Sequence, residues 1–127
     1  MMTDLITFLK ARLDEDEALI RHNSDGHGLC DGFPDYRTYI DGDTNAADAY
    51  IEHFGPARML REVEADRRLL DLYERAKQYR DRVFAQPEPR SISDEICAVT
   101  QMMALEQVMR LRAAVHGNHP DYREDWT

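Results

Sequence analysis

The run PARMLREVEADRRLLDLYERAKQYRDRVF, residues 56–84, constrains the fold more than any other stretch of the chain. Leu60, Val63, Leu70, Tyr73 and Val83 trace an apolar stripe at helical spacing, and Met59, Leu69 and Leu72 widen it. Pro56 stands where the helix opens, a position at which its missing N–H is no loss and its fixed φ is already helical. Glu64 with Arg68, and Asp71 with Arg75, are acid-before-base pairs four residues apart that support a helix. At about 1.5 Å per residue, such a helix is about 43 Å long. A compact globule of 127 residues has a radius of gyration of about 14 Å and so a diameter of about 36 Å. The helix must overhang, bend, or lie against a second chain, and a homodimer is the simplest expectation.

Two further helices flank it. The first is expected over about 3–21, with Thr3 as N-cap, Asp4 at the positive end of the dipole, and Ile6, Leu9, Leu13 and Ile20 in one stripe that Leu5 and Leu19 widen. The last is expected over about 93–116, capped by Ser91 or Ser93 after the breaker QPEPRS and stopped by Gly117. Its Ile96, Val99, Met102, Met103, Leu105, Met109, Leu111 and Val115 make it apolar over more than half its circumference, which suits the centre of a bundle or an interface. Its methionines read as core filler, with a soft binding surface as the minority reading. A short helix over 46–54, capped by Asn45 and ended by Gly55, precedes the long one. Residues 22–45 form a long polar loop carrying Phe33, Tyr36, Tyr39 and Ile40, and 117–127 an extended tail whose Tyr122 and Trp126 are expected to fold back. The expectation is an all-α single domain: a small bundle of three main helices plus one short helix, dimeric through the last two.

Charge narrows the function classes. The net charge is −9, and residues 1–56 hold twelve acids against four bases, while 57–86 hold six against eight. No segment is basic enough to grip phosphates, so direct nucleic-acid binding is disfavoured. No apolar run reaches the length of a membrane span, the N-terminus lacks a signal-peptide layout, and Cys30 and Cys97 make no disulfide framework, so a cytoplasmic protein is expected. Fourteen arginines against two lysines point to a GC-rich coding genome. The run Asp14, Glu15, Asp16, Glu17 reads first as a solvated helix face and second as an acidic docking face.

Ligand-type residues cluster in HNSDGHGLCDGF, residues 22–33, where His22, His27 and Cys30 are weak zinc candidates that lack a second pair nearby. His116 and His119 could complete a site only if loop and tail met. Residues 41–52, DGDTNAADAYIE, place Asp41, Asp43, Asn45 and Glu52 at calcium-loop positions, but Ala46 occupies the turn that wants glycine and Asp48 a position that packs. Cys97 reads as a core thiol, and Cys30 among acids is a poor nucleophile. No catalytic residue is assigned, and no cofactor is expected.

Three segments in order, TDLITFLKARLDEDE, GPARMLREVEADRRLLDLYE and HPDYREDW, resemble a family of small proteins of actinobacteria and their phages known only as a domain of unknown function. They cover about a third of the chain. Members of that family often carry Cys and His between the long helix and the final segment; this chain has QPEPRSISDEI there, with only Cys97 beyond it, and departs from that pattern. The opening HNSDGHGLCDGF lies outside all three segments and reads as a connector.

The functional expectation is a small non-enzymatic protein-binding or regulatory module of actinobacterial or phage origin. It would engage a host or phage protein through Asp14–Glu17 and through Phe33, Tyr36 and Tyr39 of the loop. A metal-binding protein or metalloenzyme using His22, His27 and Cys30 is the alternative, and an acidic nucleic-acid mimic the third reading.

Overall fold

The computed structural model describes residues 2–22 and 53–127. Among them are three α-helices, α1 (Met2–His22), α2 (Pro56–Ala85) and α3 (Ile92–Ala114), followed by a 3₁₀ turn at Glu124–Trp126, and no strand. The fold is all-α. The helices follow the expected spans to within two residues at each end. Of the expected short helix over 46–54 only His53 and Phe54 are described, and both are helical. The loop 23–45, with His27, Cys30, Phe33, Tyr36, Tyr39 and the calcium-like stretch, lies outside the described residues.

The chain divides into two compact units, one of Met1–Arg12 with Asp66–Thr127 and the other Leu13–Ala65. In the first, Leu5, Ile6, Phe8 and Leu9 of α1, Leu70, Tyr73, Ala76 and Val83 of α2, and Ala98, Met102, Met109 and Ala113 of α3 are all buried. Ala98 and Ala113 are wholly enclosed, small residues at the places where α3 is covered most closely. Charged pairs tie the elements together: Lys10 meets Glu74 at 3.5 Å, and Arg112 donates to Asp66 across α2 and α3. Asp66 is only 17% exposed, so this pair is partly desolvated and sets the register of the two helices.

The α2–α3 turn is organised by Arg90. Its Nε donates to Glu95 at 2.6 Å, Nη1 to the Gln86 carbonyl at 3.2 Å and Nη2 to Glu88 at 3.1 Å, while the guanidinium lies 5.3 Å from the Phe84 ring centre. The hydrogen bond that Arg90 donates to Glu95, with the charge of that carboxylate, holds the guanidinium pKa above its ordinary value. Ser91 is the cap of α3: its hydroxyl accepts from the Asp94 N–H at 3.3 Å, leaving Ser93 inside the helix. The stop comes before Gly117, with Val115 as C-cap and successive turns carrying the chain on to residue 121. The segment 117–127 is therefore coiled into turns rather than extended, because Trp126 is drawn into the core at 3% exposure.

In the second unit, Leu13 and Ile20 of α1 and Val63 of α2 are buried. Gly55 accepts the first backbone bond of α2, from Met59 N at 3.1 Å, with Pro56 next in line as expected. Arg58 donates to the His53 carbonyl at 2.7 Å, pairs with Glu62 at 3.0 Å and lies over Phe54.

Further sequence expectations need correction. Thr3 is not the cap of α1, since the helix already includes Met2 and Thr7 returns its hydroxyl to the Thr3 carbonyl at 2.8 Å. Leu19 does not widen the buried stripe of α1 but stands 56% exposed, and Met59 and Leu72, expected to widen that of α2, are exposed as well. Cys97 is not a core thiol: it is exposed, because the buried face of α3 runs through Ala98 instead.

Candidate functional site

The acidic run lies on α1 as expected. Asp14 and Glu15 are exposed, Asp16 and Glu17 half-buried. Glu17 pairs with Arg21 one turn on, at 3.0 Å, and none of the four acids is without a partner. Part of the face's charge is thus already met within the chain. His22 ends α1, exposed, and its companions in the metal reading fall outside the described residues. Among the described residues no group of three or more His, Cys, Asp or Glu is placed to hold a metal ion.

His116 and His119 are brought together, but around a ring. Phe8 is the hub of an aromatic cluster: ring centres of His116, His119, Tyr122 and Trp126 lie 6.1, 5.7, 6.1 and 5.0 Å from its own, the two histidines edge-on. Edge-to-face packing directs the positive rim of one ring at the negative face of another. The Asp121 N–H donates to His119 Nδ1 at 3.1 Å, which commits that nitrogen as an acceptor. The two imidazoles serve here as walls of the core.

Beside the cluster runs a shallow groove of about 330 Å³, with Phe8 and Trp126 on one side and Asp4, Arg12, Asp121 and Arg123 at its rim. Its charges balance, and the arginines are engaged. Arg123 grips Asp125 with two nitrogens at 3.1 and 2.8 Å and reaches Asp4 at 3.2 Å, while Arg12 lies 5.4 Å from the Phe8 ring centre. The Trp126 indole Nε1 is buried in the wall without a protein acceptor. This arrangement fastens the tail to the start of α1.

The outer surface of α3 has a different character. Ile92, Ile96, Val99, Met103, Leu111 and Val115 are all exposed, Ile96 at 61% and Leu111 at 71%. From Ile96 to Val115 the charged residues, Glu106, Arg110 and Arg112, are half-buried, and the more exposed ones are uncharged. In a chain where 32% of residues are charged, α2 shows the ordinary pattern, with Arg61, Arg67, Asp71, Arg75 and Lys77 among its exposed positions. Apolar side chains scattered singly over a surface need no explanation, but a contiguous uncharged helix face does. Sequence periodicity registered that α3 was apolar on too many sides for one core but not which side is buried, apart from Cys97, which it placed inside.

A model of the family described as "Family of unknown function (DUF6221)" matches residues 2–127. No curated protein and no solved structure matches the chain. No helix among the described residues is long and apolar enough to cross a membrane.

Proposed function

The chain belongs to this family of unknown function, and we propose that it is a non-enzymatic protein-binding module that works through the outer face of α3. One observation carries this reading: Ile92, Ile96, Val99 and Met103, at helical spacing on one side of α3, are all exposed, in a chain of net charge −9 whose other long helix exposes mostly charged residues. Leaving Ile92, Ile96, Val99 and Met103 in water forgoes about 1.5–3 kcal/mol for each one that a partner could enclose. Charge among these four would oppose desolvation, and none of them carries any. Met103 adds a flexible, polarizable group of the kind adaptable binding surfaces use. The acidic run Asp14–Glu17 is a weaker candidate, since its charges already have partners within the chain.

A photo-crosslinking amino acid installed in place of Val99, in the intact chain within producing cells, tests the proposal. The expected result is discrete protein adducts at position 99 that are absent at position 75, on the charged face of α2, and lost when Met103→Glu is added. Equal or no adducts at the two positions would refute it.

A further inference from the structure

We infer that the occupant of this face is a second copy of the chain, packed antiparallel along α3; the inference rests on the reading of that face as a binding surface. Three observations select this occupant over an unrelated protein.

The first is spacing. Ile92, Ile96, Val99 and Met103 follow one another at steps of four, three and four residues, all exposed. At about 100° per residue they fall within about 60° of one another, forming a seam about 16 Å long. Steps of three and four are the spacing with which one helix offers knobs to the holes of a like helix.

The second is symmetry. The order four, three, four reads the same in both directions. A two-fold axis midway between residues 97 and 98 therefore sets Ile92 against the partner's Met103 and Ile96 against the partner's Val99. A self-complementary patch of this kind is what an isologous interface requires.

The third is charge. Two copies of net charge −9 repel one another wherever acids face acids, and can meet only across an uncharged surface. A foreign partner chosen by charge would be basic and would seek exposed acids, whereas the four seam residues are all apolar. The seam is bordered on one side by Thr100 and Gln107, exposed and neutral, and on the other by half-buried Glu106 and by half-buried Glu95, whose charge Arg90 already meets at 2.6 Å. Polarity of the helix decides the direction. Antiparallel packing sets the negative C-terminal end of each α3 toward the positive N-terminal end of its partner, where parallel packing would align like ends.

Cysteine crosslinking of the full chain tests both partner and direction. In a background of Cys30→Ser and Cys97→Ser, one preparation carries Ile92→Cys and another Met103→Cys. Mixed and mildly oxidised, the two are expected to give a disulfide-linked hetero-pair several-fold in excess of the self-pair from either alone, and Val99→Glu in both is expected to abolish it while helical circular dichroism is kept. Self-pairs without hetero-pairs would overturn the antiparallel arrangement. No crosslink in any mixture, with the wild-type chain sedimenting at its 14.8 kDa monomer mass at micromolar concentration, would overturn the second copy. If position 99 then still captured other proteins in cells, the binding-module reading would stand and only the self-pairing would fall.

Discussion

Phe8 offers the sharpest stability test, because it joins the first turns of α1 to four rings more than a hundred residues later in the chain. It is 6% exposed, so Phe8→Ala removes an almost fully enclosed ring. Truncations of this kind cost about 3–5 kcal/mol through lost transfer energy and the cavity left behind. The four ring contacts add specific terms of about 0.5–1.5 kcal/mol each when well enclosed. His116, His119 and Tyr122 are only half-buried, however, and can relax toward the vacancy, so those terms do not sum. The expected loss is about 4 kcal/mol. With an unfolding entropy of about 2.1 cal/mol/K per residue, 127 residues give about 0.27 kcal/mol/K, and the loss appears as a fall in Tm of about 15 °C. Urea titration followed by Trp126 fluorescence measures it directly, since the reporter lies in the same cluster. Phe8→Leu retains most of the burial without the ring and should lose less than about 1.5 kcal/mol. A Phe8→Ala loss below about 1.5 kcal/mol would show that the tail is not anchored as described.

Three other outcomes follow from particular contacts. Ser91→Ala removes the acceptor for the Asp94 N–H and should cost about 1 kcal/mol in urea unfolding, whereas Ser93→Ala, inside the helix, should cost little. Arg112→Ala leaves the partly buried Asp66 carboxylate without its ion-pair partner and should cost about 1–2 kcal/mol, in the lower part of the usual range because Arg112 is itself 39% exposed; Asp66→Asn, which still accepts from the guanidinium, should cost less by the same melt. Tyr73 is held above its ordinary pKa, first by burial and then by the Glu106 carboxylate. Its folded form therefore binds the proton more tightly than the unfolded chain does, so its contribution is intact below pH of about 10 and lost as pH rises through and beyond that value. Urea midpoints between neutral pH and pH of about 11 should fall more steeply for the wild type than for Tyr73→Phe; parallel curves would contradict the sign.

Much of this was legible in the residues. Pro56, the long stripe after it and the break at QPEPRS mark α2 and the start of α3 to within a residue or two, because caps and breakers act locally. Leu13, Val63, Leu70, Tyr73 and Val83 are buried where helical spacing placed them. That Tyr122 and Trp126 fold back was legible, but that Phe8 receives them was not, since no local rule couples residues more than a hundred positions apart. The phase of α3 was not legible either. Ranking by hydrophobicity puts Ile96 and Val99 inside and gives Ala98 and Ala113 no preference, yet close helix packing needs small residues at the contact and turns the branched ones outward. Cys97 goes out with them, which reverses its expected burial. The acidic run on α1 announced its position but not its partners, although the Glu17–Arg21 spacing of four residues already pointed to one of them.

The most direct test of the central claim is the molar mass of the purified, untagged chain by light scattering across a dilution series, beside Val99→Glu at the same concentrations. Self-pairing through α3 requires the wild type to approach twice the 14.8 kDa chain mass and fall toward it on dilution, with Val99→Glu at the single-chain mass throughout and its helical signal unchanged. A wild type that stays at the single-chain mass at every concentration, or a Val99→Glu chain that pairs as well as the wild type, would contradict it.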